Sequence, residues 1–227
     1  MTIQLKQLVE IPVDGVHIEG VLELPANAIG IVLFAHGSGS SRRSPRNNFV
    51  ARVLREHGIG TLLMDLLTLA EDLDYQTRFD IPLLTRRLMD TTRWVRAIPT
   101  TGDLPVGYFG ASTGAAAALQ AAAALRQDIR AVVSRGGRPD LAGKRDLAKV
   151  TAPTLLLVGG KDVEVIELNR EASAHLKCPH ELSIVPGATH LFEEAGTLEI
   201  VAQQAADWFE RNLPSPPSKG CRVPINP

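Results

Sequence analysis

Five residues, Gly110, Ala111, Ser112, Thr113 and Gly114, stand between an apolar run at 104–110 and an alanine-rich run at 113–126. The first run reads as a strand and the second as a helix, so Ser112 falls on a sharp strand-to-helix turn. A backbone bent that tightly is strained and tolerates only small neighbours. Gly110 and Gly114 meet that need, and Ala115 to Ala118 let the helix lie close to the strand. Ser112 then faces a helix N-terminus, where backbone N–H groups and the helix dipole stabilise developing negative charge. That is the chemistry of a nucleophile. The bland alternative is a glycine-bounded junction with a serine N-cap; the flanks favour the nucleophile.

A serine hydroxyl needs a base, and the base needs a carboxylate to orient it. Six histidines compete. His17 falls in an opening hairpin, His175 on a helix, His180 in a turn before a strand, and His57 near a helix C-terminus where positive charge is simply favourable. His190 differs, because it follows the strand at 181–185 through the loop 186–189 and precedes the last helix. Asp162 lies just past the end of an apolar strand at 154–159 and is the favoured acid. Asp140 is its rival after the preceding strand, and Glu164 is a weaker one. Asp162 could also merely cap the helix that follows it.

A glycine-rich loop, His36 to Ser41, follows the first long buried strand at 29–36. Such a loop can turn a backbone N–H toward a substrate carbonyl oxygen. The expected donors are the N–H of Ser38, with Gly39 as the neighbour it could be confused with, and the N–H of Thr113. Gly37 and Gly39 would then line the substrate, and His36 would tie the loop in place. The loop lacks the Gly-Lys-Ser/Thr ending of a phosphate-binding loop, and no third glycine follows at dinucleotide spacing. Two arginine groups flank these stations: Arg42, Arg43 and Arg46 after the glycine loop, and Arg135 and Arg138 after the strand at 129–134. Arg135 and Arg138 are candidate contacts to a substrate carboxylate; otherwise all five are solvated surface charge.

The elements that must hold these residues alternate. Strand-like segments at 4–13 and 16–24 flank the tight-turn pair Asp14-Gly15 and predict a hairpin. Strands follow at 29–36, 60–66, 104–110, 129–134, 154–159 and 181–185, and helices at 46–57, 113–126, 165–176 and 197–212. A further helix starts at an Asp80 N-cap, tolerates Pro82 in its first turn, repeats Leu84, Leu88, Thr91 and Val95 at helical spacing, and ends at Pro99. The acidic segment 69–75 reads as a surface loop. The pattern predicts an α/β fold: a mostly parallel sheet with an antiparallel N-terminal hairpin and helices on both faces.

The organisation is one domain over residues 1–213, followed by a proline-rich tail at 214–227 expected to be disordered. Only fifty positions separate Ser112 from Asp162, which leaves no room for a large helical cap. With 227 residues, 44% hydrophobic and a net charge of −1, the chain can bury its own core. It offers no electrostatic reason to bind nucleic acid or an anionic membrane. No long apolar run and no leader pattern is present, so a cytoplasmic location is expected. The two cysteines make neither a disulfide framework nor a zinc spacing.

With nucleophile, acid and histidine in that order, the chain resembles the α/β-hydrolase superfamily over nearly all of residues 1–213. It looks closest to the small dienelactone-hydrolase-like branch, on His36 to Ser41, Gly110 to Ala116, Gly159 to Asp162 and Pro186 to His190. The resemblance implies ester-type hydrolysis with no cofactor and no metal, acting on a small-molecule ester. Dienelactone hydrolases proper carry a cysteine nucleophile where this chain has Ser112, so the lactone substrate is not carried over and carboxylesterase activity is the expectation. The chain also resembles the hydrolase half of proteins that carry a phosphoribosyltransferase, but no stretch resembles that partner, since Met64-Asp-Leu-Leu lacks a phosphate-binding turn. Acyl transfer or thioester cleavage by the same triad, and binding without catalysis, are the competing classes. Oligomeric state is left open.

Overall fold

The computed structural model describes residues 3–214. Eight strands form one sheet: β1 (Ile3–Val13), β2 (Val16–Pro25), β3 (Ile31–Ala35), β4 (Gly60–Met64), β5 (Val106–Ala111), β6 (Ile129–Arg135), β7 (Thr154–Gly159) and β8 (His180–Val185). Their order is β1-β2-β4-β3-β5-β6-β7-β8. β2 pairs antiparallel with both β1 and β4, and every pair from β4 through β8 is parallel. β3, β4, β5 and β7 are buried along their whole length, as continuous apolar runs require when both faces are covered.

Among the described residues seven α-helices accompany the strands, six between strands and the last after β8: α1 (Pro45–Glu56), α2 (Leu69–Asp72), α3 (Ile81–Ala97), α4 (Thr113–Leu125), α5 (Lys144–Leu147), α6 (Val163–Ser173) and α7 (Thr197–Asn212). Two apolar layers result. One buries Val50, Ala51 and Leu54 of α1 with Val201, Ala205 and Phe209 of α7 against Val32, Phe34, Phe109 and Val133. The other buries Leu84, Leu88 and Val95 of α3 with the alanines of α4 against Leu33, Leu62, Tyr108 and Val132. α4 has no polar face because it lies in the middle of its layer, where Ala115 through Leu119 are wholly buried.

The expected hairpin, strands and long helices occur, the strand at 154–159 and the helix at 197–212 with both ends as expected and the others with ends shifted by up to three residues. Asp80 caps α3 by accepting from Leu83 N–H at 2.9 Å, with Pro82 in the first turn. The segment 69–75 departs from the expected loop. Leu69–Asp72 is one helical turn closed by a capping box, in which Thr68 accepts from Glu71 N–H and Glu71 accepts from Thr68 N–H. A 3-10 turn at Thr77–Phe79 follows. Of the expected tail at 214–227, all but Pro214 lies outside the described residues.

The chain leaves β3 through α1 toward β4 and leaves β5 through α4 toward β6, in opposite directions across the sheet. The reversal falls between β3 and β5. A parallel sheet opens a crevice at such a point, beyond the carboxyl ends of its strands. The glycine loop after β3 and the turn after β5 both end there.

Candidate active site

Ser112 sits between β5 and α4 with φ 49° and ψ −121°, a left-sided conformation that an L-residue adopts only under constraint. Close packing supplies that constraint. A Cβ at Gly110 would stand 2.4 Å from Ala115 Cα, and one at Gly114 would stand 2.2 Å from Ala35 O and 2.4 Å from His36 O. Only glycine lets the turn tuck between its own helix and β3. Backbone bonds fix it further: Ser112 N–H donates to Arg135 O at 3.3 Å, and Arg138 N–H donates to Ser112 O at 3.1 Å. The hydroxyl does not cap α4 and remains partly exposed.

Asp162 precedes α6 in the N-cap position, yet its carboxylate makes no cap bond. It accepts instead from His190 Nδ1 at 2.7 Å, with Asp162 mostly buried and His190 39% exposed. An ionised carboxylate can only accept, so the Nδ1 N–H donates and Nε2 is the ring nitrogen turned away from Asp162. The pairing follows from how the ends of β7 and β8 are laced. Gly160 N–H donates to Val185 O, Lys161 N–H to Ala188 O at 2.9 Å, and Asp162 N–H to Gly159 O. Phe192, fully buried with φ 55°, anchors the far side of the histidine loop. Glu194 accepts from Thr189 N–H at 3.0 Å, and that bond holds its carboxyl below the usual range.

Asp140 is engaged elsewhere. Arg138 grips it in a two-pronged pair, Nε to Oδ1 at 2.9 Å and Nη2 to Oδ2 at 2.7 Å, which raises the Arg138 pKa. Glu164 lies exposed in the first turn of α6. The other histidines are occupied or remote: His57 Nδ1 meets Glu210 at 2.9 Å, and His180 Nδ1 meets the carbonyl of Cys178.

His36 ties the glycine loop down, as expected. Its Nδ1 donates to Gly37 O at 2.9 Å while Nε2 accepts from Leu66 N–H at 2.9 Å, so the ring is neutral with one defined tautomer. Burial lowers its pKa, against smaller opposing contributions from Gly37, Asp65 and Asp72. Gly37 lies against the elbow; a Cβ there would be 3.0 Å from Ser112 Cβ. The two residues expected to supply oxyanion donors are joined to each other, because Ser38 N–H donates to Thr113 Oγ1 at 3.0 Å. Ser38 N–H is therefore engaged by a side chain of the elbow. Gly39 is exposed, and Arg78 Nη1 lies 3.6 Å from the Cβ position there.

The arginines divide. Arg42 is paired with Asp65 and Glu19, and Arg46 with Glu193 at 3.0 Å. Arg138 is neutralised by Asp140. Arg135 is buried and, among the described residues, unpaired. Sequence reasoning missed Asn169, whose buried amide donates to Gly137 O at 3.0 Å and braces the loop between β6 and the site. It missed Glu194 as well. Neither leaves a mark in sequence spacing, since each acts through a backbone group made close only by the fold.

The chain matches the Dienelactone hydrolase family over residues 21–214. The crystal structure of dienelactone hydrolase from Anabaena variabilis is 53% identical, with a TM-score of 0.89, covering 92% of this chain and 98% of that one. Est1E from Butyrivibrio proteoclasticus shares the fold at 17% identity, with a TM-score of 0.77 over 90% of this chain and 98% of its own. Two Mycobacterium tuberculosis proteins, from strains H37Rv and CDC 1551, are 56% identical over 212 residues and carry a provisional phosphoribosyl transferase name. That match takes in 93% of this chain and 48% of theirs, so the chain spans about half the length of these curated relatives. The Ser112 elbow, the Asp162–His190 pair and the glycine loop thus stand in the frame of a known α/β-hydrolase lineage: the chain belongs to the dienelactone hydrolase family.

Proposed function

We propose that this chain hydrolyses carboxylic esters of small molecules through an acyl-enzyme on Ser112. The single observation that carries the reading is the 2.7 Å bond from His190 Nδ1 to Asp162, made by a carboxylate that stands in a cap position and leaves the helix uncapped. A structural aspartate there would bond the first turn of α6; this one holds an imidazole with Nε2 free to take a proton. Family membership supports hydrolase chemistry, and the strained Ser112 supports a nucleophile.

Two steps complete the reaction. Ser112 Oγ attacks the ester carbonyl carbon as its proton passes to His190 Nε2, and Asp162 stabilises the imidazolium. The tetrahedral oxyanion collapses, the C–O bond to the alcohol breaks, and His190 returns the proton to the departing oxygen. Water then attacks the acyl-enzyme with His190 again as base, releasing the acid and Ser112. Thr113 N–H and Ser38 N–H receive the oxyanion. Ser38 exchanges its bond to Thr113 Oγ1 for one to the substrate, so the loop donor is held ready by a weak neutral bond rather than left unsatisfied. The short 3-10 turn Pro139–Ala142 and α5 are the elements between β6 and β7, which fits an open mouth.

The test is hydrolysis of p-nitrophenyl acetate and butyrate by the wild-type chain and by Ser112→Ala. The expected result is turnover by wild type and a loss of roughly 10³-fold or more in the variant. Equal rates in the two proteins, or no turnover of any short or medium ester by folded wild type, would overturn the proposal.

A further inference from the structure

Arg135 ends β6 on the face where Ala131 and Val133 of the same strand pack against α1 and α7. Only 8% of it is exposed, and its Nε and Nη1 are buried with no hydrogen-bond partner. Guanidinium groups do not deprotonate in proteins at ordinary pH, so this is a buried cation. Among the described residues no carboxylate pairs with it. Burial, and after it the second cation Arg46, pulls the Arg135 pKa down to about 10.

The surroundings compound the problem rather than relieve it. Arg46 lies in the first turn of α1, its Nη1 bonded to Glu193 and its own Nε buried without a partner. α1 has no acidic residue in its first turn to answer the positive end of the helix dipole. Two guanidinium groups thus act on each other, and among the described residues the one carboxylate bonded to either is Glu193, on Arg46. Stability alone disfavours such an arrangement, since a buried unpaired charge destabilises a fold unless something binds it.

The place is next to the proposed chemistry. Arg135 is in register with Ala111 on β5, and its carbonyl accepts from Ser112 N–H. Glu193, the partner of Arg46, follows His190 by three residues. We propose that Arg135, with Arg46 near it, binds an oxyanion group carried by the substrate, a carboxylate or a phosphate, beside Ser112. An arginine fork matches both groups. The word substrate rests on the esterase reading above; the anion site itself does not.

Two measurements on the full chain separate these. The first compares kcat/KM for mono-4-nitrophenyl adipate and for 4-nitrophenyl hexanoate, which share chain length and differ in the terminal carboxylate. Wild type is expected to favour the adipate by roughly 10- to 100-fold, the range of a charge-assisted hydrogen bond, and Arg135→Met and Arg46→Ala are each expected to draw that ratio toward one. The second follows the melting midpoint of Ser112→Ala as adipate or inorganic phosphate is added at constant ionic strength. Both midpoints should rise, more for the anion the site prefers, and the rise should vanish in Ser112→Ala/Arg135→Met, or in Ser112→Ala/Arg46→Ala if the first does not fold. A wild type that cleaves the hexanoate with no preference for the adipate, and whose midpoint neither anion moves, would overturn the site and leave the esterase reading intact. A midpoint raised by either anion only through Arg135 and Arg46, with neither ester cleaved, would keep the site and remove the esterase.

Discussion

Ser112 and Asp162 occupy the same kind of position, the residue just before a helix, and neither uses its side chain to cap that helix. This forgone bond is the residue-scale sign of function, since capping is what serine and aspartate ordinarily do there. It makes a sharp prediction for Asp162→Asn. An amide can hold the imidazole but cannot stabilise its charge, and it can select the wrong tautomer, so kcat/KM should fall by roughly 10²- to 10⁴-fold. The melting midpoint should stay close to that of wild type because no cap is lost; a large drop in midpoint with activity retained would mark Asp162 as structural. The sequence left Asp140 open as a rival. Only the fold shows that Arg138 holds Asp140 in a fork, and the same fork removes Arg138 from the free cations while leaving Arg135 unpaired among the described residues. Ion pairing between side chains two residues apart in a turn has no periodicity to read. The engagement of Ser38 N–H by Thr113 Oγ1 was equally invisible, because it joins residues 75 positions apart.

At the scale of elements, the elbow is held by contact between α4 and β3. Gly114→Ala places a methyl group within van der Waals overlap of two backbone carbonyls, which cannot move without disturbing the strand. The substitution is expected to destabilise the chain by about 1–3 kcal/mol or more in urea denaturation, as overpacking does, and to displace Ser112 enough to lower ester turnover in the protein that still folds. An unchanged midpoint of unfolding would mean that α4 sits farther from β3 than described. The long elements were legible because period-2 and period-3.6 patterns need several turns or pleats to declare themselves. Leu69–Asp72 and Lys144–Leu147, at four residues each, are too short for that. The Thr68–Glu71 capping box was the signal that could have found the first of them. Strand order was not legible at all, since it is set by which way each crossover turns.

For the whole molecule, the glycine loop meets the Ser112 turn at the β3–β5 reversal, the histidine loop meets Gly136 after β6, and the sheet between two apolar layers positions all three. His36 links this architecture to pH. Its neutral tautomer bridges Gly37 and Leu66, and burial depresses its folded-state pKa below the ordinary value. The unfolded chain binds that proton more readily, so the contribution of His36 is fully present above a pH of about 6.5 and is lost as pH falls from there toward the folded-state pKa. Global stability should therefore decline on acidification in this window, with a slope of up to about 1.4 kcal/mol per pH unit from this group. His36→Asn, which retains a donor and an acceptor but cannot titrate, should flatten that part of the profile in denaturant titrations at several pH values. A profile identical to wild type would assign the acid sensitivity to other groups.

Whether Ser112 is a nucleophile activated by His190 can be read from incubation with a fluorophosphonate followed by peptide mapping by mass spectrometry. One phosphonyl adduct is expected, on Ser112, slowed by orders of magnitude in His190→Ala and absent from Ser112→Ala. Ester hydrolysis by a folded chain whose Ser112 takes no label, or an adduct on another residue, would contradict that role for Ser112.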